Sequence, residues 1–255
     1  MLYDEHKLSS KTKQNTEALF LSATLLMAAI ATAALGTTTY QSAFAQADDC
    51  VELAVNGTLM RGLELEPNLV NLGAMFVREN QTEPAYRLFS INDVHPAMVR
   101  VPAPGFENET GVSVAVEIWC VPPAGLGTLL AREPPGLSIG KVILADGETI
   151  VLGVIAEPAL LVGMRDISNF TTNDGAAGFR VYIASEGMRF IDEALAEGDL
   201  TDQEEQVVRA YRSAGELLFN NGQYRGAIDV LNHAVKMLDI DERLYVNIPL
   251  GYTAP

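Results

Sequence analysis

Residues 112–121 (Val-Ser-Val-Ala-Val-Glu-Ile-Trp-Cys-Val) constrain this chain more than any other stretch. Nearly every position is β-branched, aromatic or otherwise apolar, which predicts a strand. Glu117 stands inside that run. A carboxylate there has to be ion-paired, hydrogen-bonded or functional, because burying it bare is too costly. Two readings follow for Glu117: structural partner of an arginine, or catalyst.

Around this strand, residues 50–184 read as α+β with many short strands. Val51–Val55 is a strand that opens into the turn signal Asn56-Gly57-Thr58. Leu69, Leu72, Met75 and Phe76 recur near helical spacing within 65–79, which predicts a helix beginning around Pro67. Strands are expected at 86–91 and 99–101, and a short helix at 124–131. The loop Glu133-Pro134-Pro135-Gly136 follows that helix. A hairpin turns at Asp146-Gly147 between 142–144 and 149–156. A last strand is expected at 179–183. Many strands, few helices and short turns predict a curved or closed mixed β-sheet with packed helices.

The character changes at Glu186, and residues 186–242 read as helical, with a break at Gly198-Asp199. Thr201-Asp202-Gln203-Glu204 is a capping box. In 210–239, Ala210, Gly215, Leu218, Gly222, Tyr224, Ala227, Leu231 and Ala234 take the small and large positions that let two antiparallel helices pack closely. This stretch resembles one tetratricopeptide-type repeat. A lone helical pair builds no solenoid groove, so it packs on the core domain, associates with a second copy, or takes a protein partner through 201–239. The tail, 243–255, is left unclassified.

The formal charge is -16, and the first 45 residues carry three Lys against three Asp or Glu, so losing them leaves the imbalance intact. So acidic a surface repels phosphate backbones and argues against nucleic-acid binding; anionic membranes are disfavoured likewise. Lys7, Lys11 and Lys13 flank an apolar run at 18–35, and Ala43-Phe44-Ala45 follows as a cleavage-type site. Residues 1–45 therefore read as a signal peptide or as an uncleaved membrane anchor, with the rest extracytoplasmic in either case; membrane contact is expected only with an uncleaved leader. Export permits a disulfide between Cys50 and Cys120 if their strands are neighbours. The three His are scattered and no Cys/His cluster occurs, so neither a metal nor a cofactor is expected. Four Asn-x-Thr triplets, at Asn56, Asn80, Asn108 and Asn169, are acceptor signals for glycans in an exported chain.

Several stretches, in order, carry a family likeness: Leu69-Val70-Asn71-Leu72-Gly73-Ala74, Pro84-Ala85-Tyr86-Arg87-Leu88-Phe89, Val114-Ala115-Val116-Glu117-Ile118-Trp119, Pro135-Gly136-Leu137-Ser138-Ile139-Gly140, Gly163-Met164-Arg165-Asp166-Ile167-Ser168 and Gly178-Phe179-Arg180-Val181-Tyr182. Together they resemble the C-terminal domain of allophanate hydrolases, over most of its length. The resemblance implies a γ-glutamylcyclotransferase-like fold and a part in finishing allophanate breakdown by decarboxylation. The Gly/Ser-rich segment of the family's amidase domain is not seen, so the amidase reaction itself is not expected.

By the same resemblance, Asn56-Gly57-Thr58-Leu59 takes the place of the cyclotransferase loop that holds a substrate carboxylate, with Asn56 where that loop has an aromatic residue. Gly57 lets backbone N–H groups turn toward one point and Thr58 adds a hydroxyl. A glycan on Asn56 would block the loop, so that residue is expected to be unmodified. Glu133 lies near where cyclotransferases place their acid/base; in a dry pocket its pKa would rise toward neutrality. Glu117 is the alternative acid. Arg87, Arg100 and Arg180 each lie in or beside a strand and suit a carboxylate clamp or pairing with Glu117 or Asp166. Asp166 and Ser168 shape the pocket rim or cap a turn. The expectation is a small amide, urea-derived or γ-glutamyl ligand, bound or converted. The alternative is a binding or assembly module acting through the helical pair.

Overall fold

A computed structural model describes residues 50–198 and 200–238. The leader at 1–45 with its cleavage-type site, Asp199, Asp239 and the tail at 243–255 lie outside the described residues. In chain order the elements are β1 (Val51–Val55), α1 (Glu66–Asn71), β2 (Met75–Gln81), β3 (Tyr86–Ile91), β4 (His95–Arg100), β5 (Ala115–Val121) and α2 (Pro123–Leu130). There follow β6 (Leu137–Ile143), β7 (Ile150–Ala156), α3 (Pro158–Leu161), β8 (Arg165–Asp166), α4 (Phe179–Glu197), α5 (Asp202–Asn220) and α6 (Tyr224–Met237).

The fold is α+β. A five-stranded mixed sheet has the order β2-β5-β1-β7-β6, and a three-stranded sheet the order β4-β3-β8. β1 is the centre of the larger sheet, antiparallel to β5 (Leu53 opposite Trp119) and parallel to β7 (Leu53 opposite Leu152). β5 is buried on both faces, which is why its sequence reads as an unbroken apolar run rather than an alternation. The sheet is not closed. Its edge strands β2 and β6 meet at one isolated bridge, Thr82 opposite Leu144, where Glu83 N–H donates to Ile143 O at 3.0 Å. Cys50, beside the start of β1, is disulfide-bonded to Cys120 of β5, with their Cα atoms 5.3 Å apart.

β4 and β6 begin earlier than the expected 99 and 142, at His95 and Leu137, and two expected elements differ in type. The helix predicted from Pro67 through Glu79 stops at Asn71. Gly73 then adopts φ +77°, a left-handed conformation that ends helices cheaply only for glycine. Residues 75–81 become the edge strand β2, with Met75, Val77 and Glu79 facing solvent and Phe76, Arg78 and Asn80 more covered. That alternation has period two; Leu72 and Phe76 merely coincide with helical spacing. The strand expected at 179–183 is instead the first turn of α4. Phe179, Ile183, Gly187 and Ile191 form a buried stripe at four-residue spacing, so packing overrides the strand preference of Val181 and Ile183. α4 consequently runs without a break through position 185.

α5 begins at the expected capping box: Thr201 Oγ1 accepts from Glu204 N–H, and Glu204 Oε2 accepts from Thr201 N–H at 3.0 Å. α5 and α6 pair, and both pack on α4. The closest approach is at Leu231 of α6, seated against Gly215 of α5. A Cβ on Gly215 would lie 2.5 Å from Leu231 Cδ2 and 2.6 Å from its Cγ. Leu231 is buried and has nowhere to yield. Alanine gains about 1 kcal/mol of helix propensity over glycine, whereas overpacking costs ~1–3 kcal/mol. Gly215→Ala is therefore expected to lower unfolding stability by about 1 kcal/mol in urea denaturation, and an unchanged or raised midpoint would refute the close packing.

Candidate ligand site

β1 ends at Val55 and the chain turns at once into the loop 56–59. The carbonyl of Gly57 accepts from Met60 N–H at 2.8 Å and that of Thr58 from Leu65 N–H at 2.9 Å. These bonds commit the loop's carbonyls to its own turn; the N–H groups of Thr58 and Leu59 have no acceptor among the described residues. Pro96, at the start of β4, abuts the loop so tightly that a Cβ on Gly57 would stand 2.0 Å from its Cγ. Only glycine fits.

The loop forms one wall of a cavity of about 320 Å³. Glu133 and Arg132, from the segment after α2, form another wall, and His95 and Pro96 a third. Leu129, Leu137 and Val154 supply the apolar lining. Asn56, Gly57, Thr58, Leu59 and Glu133 thus line one cavity.

The electrostatics are unusual for such an acidic chain. Burial pushes the Glu133 carboxyl up to about 7. No hydrogen-bond donor to that carboxylate is found among the described residues, so nothing offsets the desolvation. Burial also lowers the pKa of His95, favouring neutral imidazole. Asn56 is 5% exposed, and its side-chain Nδ2 is buried without an acceptor. An unpaired buried donor costs about 1–3 kcal/mol, so it is the kind of group a ligand oxygen satisfies. The Arg132 guanidinium has no ion-pair partner among the described residues, in a structure where most arginines do. A carboxyl raised to about 7 thus shares one small cavity with donors that have no acceptor among the described residues.

The remaining sequence-derived candidates lie elsewhere. Glu117 is 0% exposed and does not line this cavity. It accepts from Arg61 N–H (2.8 Å), Arg61 Nε (3.0 Å), an Arg180 terminal nitrogen (2.8 Å) and Trp119 Nε1 (3.2 Å). Burial raises its pKa, but the Arg180 charge and the Arg61 donors outweigh that and hold it below the usual carboxylate range. Arg180 is spent on Glu117 and on the Arg61 carbonyl. Arg87 pairs with Asp166, its Nε 3.0 Å from Oδ2, and Arg100 pairs with Glu83 at 2.7 Å. Ser168 bonds to the interior of β3, its Oγ accepting from Leu88 N–H at 2.9 Å.

His95, Arg132 and Asn68 also line the cavity and were not singled out from the sequence. Only Arg132, adjacent to Glu133, carried a local hint. Of the Asn-x-Thr triplets, Asn108 and Asn169 are exposed, Asn80 is half-buried and Asn56 is enclosed.

A family model described as the allophanate hydrolase C-terminal domain matches residues 51–183. The urea amidolyase of Lachancea kluyveri is 29% identical over 140 residues, covering 53% of this chain. That of Saccharomyces cerevisiae is 29% identical over 136 residues, covering 52%. The matched stretch spans only 7% of either relative's length. Among solved structures, a uropathogenic E. coli-specific protein is 52% identical, covering 52% of this chain and 94% of its own, with a TM-score of 0.45. Kluyveromyces lactis allophanate hydrolase is 30% identical, covering 53% of this chain and 21% of its own, with a TM-score of 0.46.

Glu133 titrates near 4.5 in an unfolded chain and near 7 here, so the folded state holds its proton more tightly. The group therefore contributes a loss of stability as pH rises from about 4.5 through about 7. Glu133→Gln lacks that loss. Chemical denaturation at pH 5 and pH 8 should show the variant gaining on the wild type as pH rises; a gap independent of pH would mean that Glu133 is solvated.

Proposed function

Because this chain belongs to the allophanate hydrolase C-terminal domain family, whose model matches residues 51–183, we propose that its cavity binds and converts a small amide or urea-derived compound bearing a carboxylate. The observation that carries this reading is the pairing, within one cavity, of Glu133, raised to about 7, with the unfilled Asn56 donor. Asn56 Nδ2, the Thr58 hydroxyl and the loop N–H groups receive a ligand oxygen. Glu133, in its acid form, gives its proton to a ligand nitrogen as that nitrogen's bond to a carboxyl carbon breaks. The bonding pair stays on nitrogen, the carbon leaves as CO2, and solvent returns the proton to Glu133. The Cys50–Cys120 disulfide supports an extracytoplasmic site of action.

A second reading rests on the helical pair, whose likeness to a tetratricopeptide repeat goes with an exposed Leu217 on α5 and an exposed Met237 on α6. In that reading the domain is a binding or assembly module and the pair takes a protein partner.

Thermal-shift titration of the full chain with N-carbamoylglycine, a small urea carrying a carboxylate, separates the two. Saturable stabilisation is expected for the wild type. Asn56→Ala should weaken it about tenfold, the worth of one hydrogen bond. Glu133→Gln, which keeps the shape of the cavity wall, should keep binding within a factor of about two. No shift with N-carbamoylglycine or with a panel of small carboxylates, ureas and γ-glutamyl amides would overturn the ligand reading in favour of the module.

A further inference from the structure

The wall of the cavity formed by His95 and Pro96 is held from a distance. His95 and Pro96 begin β4 directly after the turn formed by residues 92–94. Asn92 and Asp93 both adopt left-handed backbone, φ 53° and 57°, the conformation a tight β3–β4 hairpin asks for and one that Asn and Asp tolerate. Two side-chain hydrogen bonds converge on Asp93. Ser90 Oγ donates to Asp93 Oδ1 at 2.9 Å, and the hydroxyl of Tyr182, one turn into α4, donates to the same oxygen. Arg165 of β8 donates to the Tyr182 oxygen at 3.1 Å and to Glu186 of α4 at 3.0 Å. The Tyr182 ring is buried and meets Phe170 edge to face, centroids 5.0 Å apart, so the hydroxyl has little freedom to point elsewhere.

A continuous path of contacts therefore runs from α4 through Tyr182 to Asp93, along the turn to His95 and Pro96, and from Pro96 onto Gly57 of the ligand loop. Tyr182 lines no part of the cavity, and the ligand chemistry proposed above does not use it. We propose that Tyr182 is a positioning residue: its bond to Asp93 clamps the β3–β4 turn to α4 and thereby sets where His95 and Pro96 stand relative to Asn56–Gly57. This inference rests on the reading of that cavity as a ligand site.

The test uses the full chain, labelled at histidine, and observes the imidazole cross-peaks by NMR; His95→Gln assigns the His95 signal against those of His6 and His233. Tyr182→Phe, which keeps the ring and removes the donor, should move and broaden the His95 cross-peak and leave that of His233 in place. The same variant should bind N-carbamoylglycine about tenfold more weakly. Asp93→Ala should reproduce both changes, and Asp93→Asn, which keeps an acceptor for the hydroxyl, should restore both.

A His95 cross-peak unmoved in Tyr182→Phe and Asp93→Ala, even with a lowered unfolding midpoint, would overturn the proposal and leave the bond a purely structural one. If Tyr182→Phe does not fold, the two Asp93 variants decide by the same criterion. Failure of the wild type to bind N-carbamoylglycine bears on the ligand reading alone, since the His95 signal is read without ligand.

Discussion

The carboxylate of Glu117, sealed in the middle of the most apolar strand, is the interaction on which the rest of the domain depends. Removing a carboxylate from water costs several kcal/mol even after the protein relaxes. Here four hydrogen bonds and two guanidinium groups offset that cost. The donors come from three places: Arg61 in the stretch between β1 and α1, Trp119 on β5 itself, and Arg180 in the first turn of α4. Arg61 is held at both ends of its backbone, its N–H by Glu117 and its carbonyl by Arg180, while its guanidinium lies 3.3 Å over the Phe76 ring. One buried charge thus ties the central sheet, the segment continuing from the ligand loop, and the helix that carries Tyr182. Because the pKa of Glu117 is depressed in the folded state, its contribution is present above the unfolded carboxylate range and is lost on acidification through the folded value.

That arrangement separates two roles that look alike in a one-dimensional reading. Glu117 and Glu133 are both carboxylates in apolar company. Glu117 is surrounded by donors and charged, a pin in the architecture. Glu133 has desolvation without compensation, which raises its pKa to about 7 and keeps a proton available at neutral pH. Nothing in residue type distinguishes them; the difference lies in which arginines reach which pocket.

What was legible in the sequence follows from how local the determinants are. β1, β3, the Asp146-Gly147 hairpin, α2 and the Thr201–Glu204 cap were readable because each is specified within a few residues. β2 and the start of α4 were misread because local preference and tertiary packing disagreed there: Gly73 cut short an apparently helical stripe, and a buried stripe on α4 recruited two β-branched residues. The loop 56–59 and Glu133, which share the cavity, were singled out through family likeness. His95 and Arg132 were not, since a histidine at the head of β4 and an arginine after α2 acquire meaning only when the sheet brings them beside Asn56. Arg87 and Arg180 suited a clamp by residue type, but Asp166 and Glu117 occupy them.

The central position of β1 bears on how the domain is assembled in time. Its partners arrive late: β5 lies about 60 residues downstream and the parallel partner β7 about 100. β1 comes first among the described strands yet is among the last to be completed, and the loop that follows it is not fixed in place before both partners dock. Such non-local closure has to lose chain entropy before contacts repay it, which places this domain among slower-folding topologies. During synthesis, β1 has no sheet partner until residue 121 has emerged, and its other edge stays open until residue 156 has. The same connectivity that puts loop 56–59 at the centre of the sheet therefore leaves the strand before it open to mispairing before folding is complete.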